Sequence, residues 1–180
     1  MANRIGGDKV KILQVVGYKN AGKTTLTVEL IRSLTARGLR IGTVKHDGHD
    51  FEPDAPGKDT WRHRQAGAHV TAISSAHRTA WYVERPTEIA ELLGSMRDHG
   101  LDGVIAEGFK TAPYPKIVLL RDEGDADLLQ LPNLVAAAVR EQSESVKLLA
   151  ESCGSPLFVY GSDNNDALLK YIVHWFKVSE

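Results

Sequence analysis

Short apolar runs alternate along this chain with longer stripes at helical spacing, which is the pattern of an α/β protein. Residues 10–16 form a β-rich run ending at Gly17, and after a glycine-containing turn residues 23–37 carry a long helical pattern. Gly38 supplies a helix stop. Residues 39–45, LRIGTVK, then read as a second strand, which completes a strand-helix-strand unit and favours parallel pairing. The pattern breaks over residues 46–57, HDGHDFEPDAPG, where Asp, Gly and Pro mark a long loop of the kind that carries function.

Residues 58–66 predict a helix, and residues 68–74 and 79–84 predict two strands joined by a tight turn near Ala76 and His77, an antiparallel pair. Pro86 and Thr87 open a further helix to about His99, with Ile89, Leu92, Leu93 and Met96 at helical spacing. Residues 101–106 read as a buried strand ending in Glu107 and Gly108. Residues 116–121 and 134–139 supply two more strands, with an acidic, loop-like stretch over 121–132 between them. A helix from about Ser143, a strand over 157–160 and a last helix from Asn164 complete the order, the last with Leu168, Ile172, Trp175 and Phe176 as its core face. The expected architecture is a single domain over residues 1–180: α/β, doubly wound, a three-layer sandwich with a mostly parallel sheet and one antiparallel hairpin.

Composition narrows the function classes. A formal net charge of −1 gives no global field for a polyanion, so nucleic acid is not an expected partner. Cys153 is the only cysteine, which rules out an internal disulfide and a cysteine zinc cage built from this chain alone. No segment approaches the ~20 consecutive apolar residues of a membrane span, and the first ten residues lack the apolar core of a signal peptide. A cytoplasmic location without membrane contact is the expectation.

The chemistry concentrates at Gly17-Tyr18-Lys19-Asn20-Ala21-Gly22-Lys23-Thr24, which matches G-x-x-x-x-G-K-[ST] between a predicted strand and a predicted helix. Gly17 and Gly22 let the backbone fold around an anion, so that consecutive N–H groups of the loop, Asn20 and Ala21 among them, point at phosphates, while Lys19 either contacts phosphate or is simply solvated. Lys23 then meets the β and γ oxygens, the Thr24 hydroxyl ligates Mg²⁺, and the N–H of Thr25 serves the α-phosphate. Glu107, at the end of a buried strand, is the candidate carboxylate for that metal, with a plain surface glutamate as the other reading. Gly108 after it allows close backbone approach.

Two readings stand for the Asp-rich loop. Asp47, Asp50, Asp54 and Asp59 respond to a γ-phosphate in one, and cap helices and close turns in a solvated loop in the other. His46 and His49 are too few for a metal cage. Lys58, Arg62, His63 and Arg64 form the one local basic cluster, either a solvated helix face or a guanidinium fork for the phosphates of a second ligand. Trp61 beside them reads as a core anchor.

Three blocks, VVGYKNAGKTTL, TVKHDGHDFEPDAPGKDTWRHRQAGA and DGVIAEGFK, together closely resemble the MobB family of molybdopterin-guanine dinucleotide biosynthesis adapter proteins. The resemblance covers roughly the first 120 residues, and its middle block is more specific than a phosphate loop. It implies a P-loop protein related to the signal-recognition and MinD-like class, with GTP and Mg²⁺ bound, weak GTPase activity and a homodimer. It also implies association with the molybdopterin guanylyltransferase, and raises contact with molybdopterin or its guanine dinucleotide as a further expectation. Carried over by position, residues 17–25 hold the phosphates, Thr24 and Glu107 the magnesium, and Asp47 to Asp59, with His49, Lys58 and Arg62, a switch-like or second-ligand region. Tyr18 stands where the MinD-like class has its signature lysine. The usual guanine reader, Asn-Lys-x-Asp, is replaced by the looser Gly161-Ser162-Asp163-Asn164. The alternative function is an ATP-dependent small-molecule kinase or a ligase of the dethiobiotin synthetase type, which would use the same loop.

Overall fold

A computed structural model describes residues 10–140, 144–152, 154–161 and 166–177. Ser143, Cys153 and positions 162–164 lie outside the described residues. By packing, the described chain falls into two compact units: one combines the segments up to and including His46 and from Ile89 onward, and the other is Asp47–Glu88, inserted between them in sequence.

The larger unit is built on a six-stranded parallel sheet. Its strands are β1 (Lys11–Gly17), β2 (Ile41–Lys45), β5 (Gly103–Glu107), β6 (Lys116–Leu120), β7 (Leu134–Val139) and β8 (Leu157–Val159), in the order β2-β5-β1-β6-β7-β8. β1 and β2 do run parallel, but they do not pair. β5 lies between them, bonded to β1 from Lys11↔Gly103 to Val15↔Glu107 and to β2 from Ile41↔Gly103 to Lys45↔Glu107. Every residue of β5 and β6 is buried, as expected for strands covered on both faces.

Alternate residues of these strands feed opposite layers. Leu13, Val15, Ile105, Ile117, Leu119 and Ala138 pack with Leu26, Leu30 and Leu34 of α1 (Lys23–Thr35) and with Leu168 and Ile172 of α5 (Asp166–Lys177). On the other face Val16, Val118, Leu120 and Val139 meet Leu128, Leu129 and Val146, the last from α4 (Glu144–Ser152). Val44, Val104 and Ala106 pack there with Ile89 and Leu93 of α3 (Ile89–Ser95). The result is the doubly wound three-layer arrangement.

Two elements depart from the sequence reading. The helix expected from Pro86 begins only at Ile89 and stops at Ser95, followed by a 3-10 turn over Arg97–His99 that ends at Gly100 with φ 63°. The acidic stretch expected as loop holds a 3-10 helix, Glu123–Gln130. Asp122 caps it by accepting from the Gly124 N–H at 2.8 Å, and the buried Leu128 and Leu129 tie it to the core. Asp125 is fully buried, and its two carboxylate oxygens take the Arg121 guanidinium at 2.8 and 2.6 Å. Through these bonds Arg121 holds the Asp125 carboxyl below its ordinary pKa.

The inserted unit holds α2 (Asp59–Gln65) and a hairpin of β3 (Val70–Ser74) with β4 (Thr79–Val83), antiparallel as expected, with Ala72 opposite Trp81. No α2 residue is fully buried, so Trp61 is a half-buried side chain rather than a core anchor. A largely buried charge here is Arg64, whose side chain is only 6% exposed. It pairs with Glu52 and with Glu84 at 3.1 Å, and its guanidinium lies 5.3 Å from the centre of the Tyr82 ring.

Candidate functional site

At the carboxyl edge of a parallel sheet the chain must turn, and here the turn after β1 leads straight into α1. Asn20 has φ 65° and Gly22 φ 90°, a pair of left-handed residues that bends residues 17–22 into a concave loop. A side chain at Gly22 would also press on Tyr160, whose ring atoms lie 3.0 Å from the position of a Cβ. At Gly17 the added carbon would stand 2.9 Å from the Leu119 carbonyl, against the neighbouring strand. Gly22 is therefore required by space as well as by backbone angle, and Gly17 by space.

The start of α1 is left open for an anion. Gly22 offers no side-chain cap, and no acidic residue stands in the first turn. Each of the other described α-helices has one there: Asp59, Glu91, Glu144 and Asp166. The amide ends and the positive end of the α1 dipole thus meet no carboxylate from their own turn.

The sequence-predicted residues of the loop come together. Ala21 is buried, Lys19 and Asn20 are exposed, and a cleft of about 370 Å³ is lined by Asn20, Gly22, Lys23, Thr24, Thr25, Glu107 and Arg140. Lys23 Nζ donates to the Tyr18 carbonyl at 2.8 Å, spanning the loop. Burial lowers the Lys23 pKa, the Glu107 carboxylate opposes that shift, and Lys45 and Arg121 add to it. A polyphosphate in this place would supply the anion that such a crowded ammonium lacks.

Glu107 is 6% exposed, so it is not a surface glutamate. It ends β5 beside Val15 and Lys45, and its Oε1 accepts from the Thr24 hydroxyl at 2.8 Å. One carboxylate and one hydroxyl held together are hard oxygen donors of the kind Mg²⁺ takes, so the residues present fit that ion. Gly108, φ 90°, turns the chain directly after Glu107, and Gln14 Nε2 braces that turn through the carbonyls of Gly108 and Phe109 at 3.3 and 2.7 Å.

Four contributors, Arg140, Tyr160, Lys110 and Asp127, escape a reading of the sequence. Arg140 donates to the Asn20 carbonyl at 3.1 Å, and Tyr160 donates to the Gly22 carbonyl at 3.0 Å, so the strands β7 and β8 reach the loop through the residues just past their ends. Tyr18 donates to Asp127 at 2.6 Å, and Lys110 lies 4.7 Å from the centre of the Tyr18 ring and 3.3 Å from Asp127. Of these, Arg140 carried the same signal as Glu107, a charged residue directly after a buried strand.

The remaining predicted residues belong to the inserted unit. Asp47 accepts from the His49 N–H at 3.2 Å, Asp50 from the Phe51 N–H at 3.1 Å, and Asp54 from the Ala55 N–H at 2.9 Å and from the Thr60 hydroxyl. Lys58 is the residue before α2, Asp59 opens that helix, and Arg62 is exposed on it.

Comparison with known proteins bears on the fold and the family. The chain is 31% identical to the crystallised MobB of Bacillus subtilis, with a TM-score of 0.76 over 94% of this chain and 99% of that one. Likeness to a signal recognition particle receptor FtsY from Elizabethkingia anophelis, at 16% identity and a TM-score of 0.50, extends to the P-loop fold alone. Among sequences, a Bacillus subtilis relative described as a probable molybdopterin-guanine dinucleotide biosynthesis adapter protein is 37% identical over 82% of this chain and 84% of its own length. The corresponding Escherichia coli adapter protein is 40% identical over 65% of this chain and 69% of its own. With the model of the family "MobB: Molybdopterin guanine dinucleotide synthesis protein B" matching residues 12–140, this chain belongs to the MobB family.

Proposed function

We propose that the chain is a GTP-binding adapter in the synthesis of molybdopterin guanine dinucleotide, assisting the guanylyltransferase that joins GMP to the pterin. The observation that carries the nucleotide part is the 2.8 Å bond from Thr24 to the buried Glu107 at the mouth of an uncapped helix. In this reading Gly17, Lys19, Asn20, Ala21, Gly22 and Thr25 present amides to the phosphates, and Lys23 neutralises them. Thr24 and Glu107 hold Mg²⁺, which when bound neutralises phosphate charge. Arg140 adds a cation at the far side of the loop. Support for guanine over adenine comes from the words "guanine dinucleotide" in the names of the relatives, and support for a partner in that synthesis from the word "adapter"; the guanylyltransferase is the partner that the family resemblance implies.

The reading includes self-association as a homodimer, a cytoplasmic location and at most weak GTP hydrolysis. Calorimetry with GTP and ATP, with and without Mg²⁺ and the purified guanylyltransferase, tests it. GTP binding that requires Mg²⁺, together with a complex between the two proteins, is the expected result. Lys23→Ala removes a charge-assisted contact worth about 1.5 to 3 kcal/mol, a loss of about tenfold to hundredfold in affinity. An unchanged Kd would place the nucleotide elsewhere, and ATP bound more tightly than GTP would favour an ATP-dependent kinase or ligase.

A further inference from the structure

The inserted unit contains a cleft of its own. It measures about 730 Å³, within the range of small-molecule sites, and its lining includes Asp47, Asp50, Phe51, Arg64, Trp81 and Glu84. Of the eight large apolar residues exposed among the described residues, five lie in this short unit: Phe51, Val70, Ile73, Trp81 and Val83. Phe51 and Trp81 are the most exposed of all, at 68% and 69%, and both line the cleft. Aromatic side chains left in water around a concavity offer ring faces to a ligand.

The Tyr82 side of the lining is fixed. Arg64 is clamped by Glu52 and Glu84 under the Tyr82 ring, and its Nε is buried without a hydrogen-bond partner. The walls are acidic. Asp47 and Asp50 each spend one oxygen on a backbone N–H of their own loop, through Oδ1, and Oδ2 of each accepts no hydrogen bond from the described residues. With histidine neutral, three carboxylates against two guanidinium groups leave the lining at −1, which disfavours a phosphate and favours a ligand rich in N–H.

We infer that this cleft is a second binding site, for a planar bicyclic ring with a 2-aminopyrimidinone edge, stacked on Phe51 and Trp81 with its N–H edge read by Asp47 and Asp50. The adjacent ring N–H and amino donors of such an edge suit the free Oδ2 oxygens of Asp47 and Asp50, and both a pterin and a guanine carry that edge. The inference rests on the reading of the chain as a participant in the synthesis of a pterin-guanine dinucleotide, and assigns the heterocycle to a place separate from the phosphate loop.

The test uses the full chain with neopterin, guanosine and adenosine, none of which carries a phosphate, followed by calorimetry. Neopterin or guanosine binds and adenosine, which lacks the edge, does not; whichever of the two binds identifies the source of the ring. Trp81→Ala and the double variant Asp47→Asn/Asp50→Asn each weaken that binding about tenfold or more, while Lys23→Ala leaves it unchanged. Phe51→Ala, at an equally exposed position, repeats the Trp81 result if that variant folds poorly. Failure of both neopterin and guanosine to bind, equal binding of adenosine, or indifference to the aromatic and Asp variants overturns the inference, even if GTP binds at the phosphate loop. Neopterin bound with GTP rejected would overturn the nucleotide reading and leave the cleft standing. A change of molecular mass on Trp81→Ala with ring binding intact would mark the aromatics as a self-association surface and overturn the inference too.

Discussion

The strands of the two units contain similar residues and are used in opposite ways. In β6, KIVLL, every position is buried between helical layers; in β4, TAWYV, none is fully buried, and Trp81 and Val83 face water. A sheet covered on both faces fixes the ends of its strands, so that the groups following β1, β5, β7 and β8 converge on one loop within hydrogen-bonding distance. A two-stranded hairpin cannot bury both faces, and what remains exposed is available for contact. The large unit is built for geometry and the small one for surface.

The contrast is broken most severely in the core of the large unit. Leu119 is 1% exposed and touches the phosphate-loop strand, so Leu119→Ala should cost about 3 kcal/mol in urea unfolding. A loss comparable to that of an exposed residue would mean the core collapses around the vacancy. Hydrogen exchange sharpens the comparison next. Amides of β3 and β4 should exchange on the order of a hundredfold faster than those of β5 and β6, because few buried contacts hold the hairpin. Equal protection would show that the small unit opens only with the whole chain.

The acid side of the stability curve gives a third measure. Asp125 has its pKa depressed by Arg121, so it contributes stability above the carboxylate's ordinary pKa and loses it as pH falls through the lower native value. Arg121 is 43% exposed, and water screens its half of the pair. Asp125→Ala should therefore lower Tm by about 3 °C near neutral pH, with the difference shrinking toward the acid limit. A pH-independent deficit would assign the loss to packing instead.

How much of this the sequence disclosed depends on the physics behind each part. The loop over residues 17–25 was legible because phosphates demand amides, a lysine and a hydroxyl at fixed spacing along one turn. Glu107 was legible because a charged residue ending an apolar run stands at the edge of a sheet, although its burial and its bond to Thr24 had to be seen. Strand order was not legible, since an apolar run does not encode its neighbour, and β5 takes the place between β1 and β2. Nor was the helix over Glu123–Gln130, whose acidic sequence reads as solvated until Arg121 is placed against Asp125. Arg64 looked like one charge in a basic face, and only the approach of Glu52 and Glu84 makes it the centre of the inserted unit.

The smallest expected effect is the most direct probe of the small unit. Val70 sits opposite Val83 on the hairpin face that also carries Ala72 and Trp81, and it is 52% exposed. Because water already reaches it, Val70→Thr keeps the β-branched shape that suits a strand and removes little buried area. Its effect on urea unfolding should stay within about 0.5 kcal/mol, as for other exposed substitutions. A loss several times larger, measured with the concentration of protein varied, would mean that this face is covered in solution, since only a face shielded from water gives a buried methyl group that much weight.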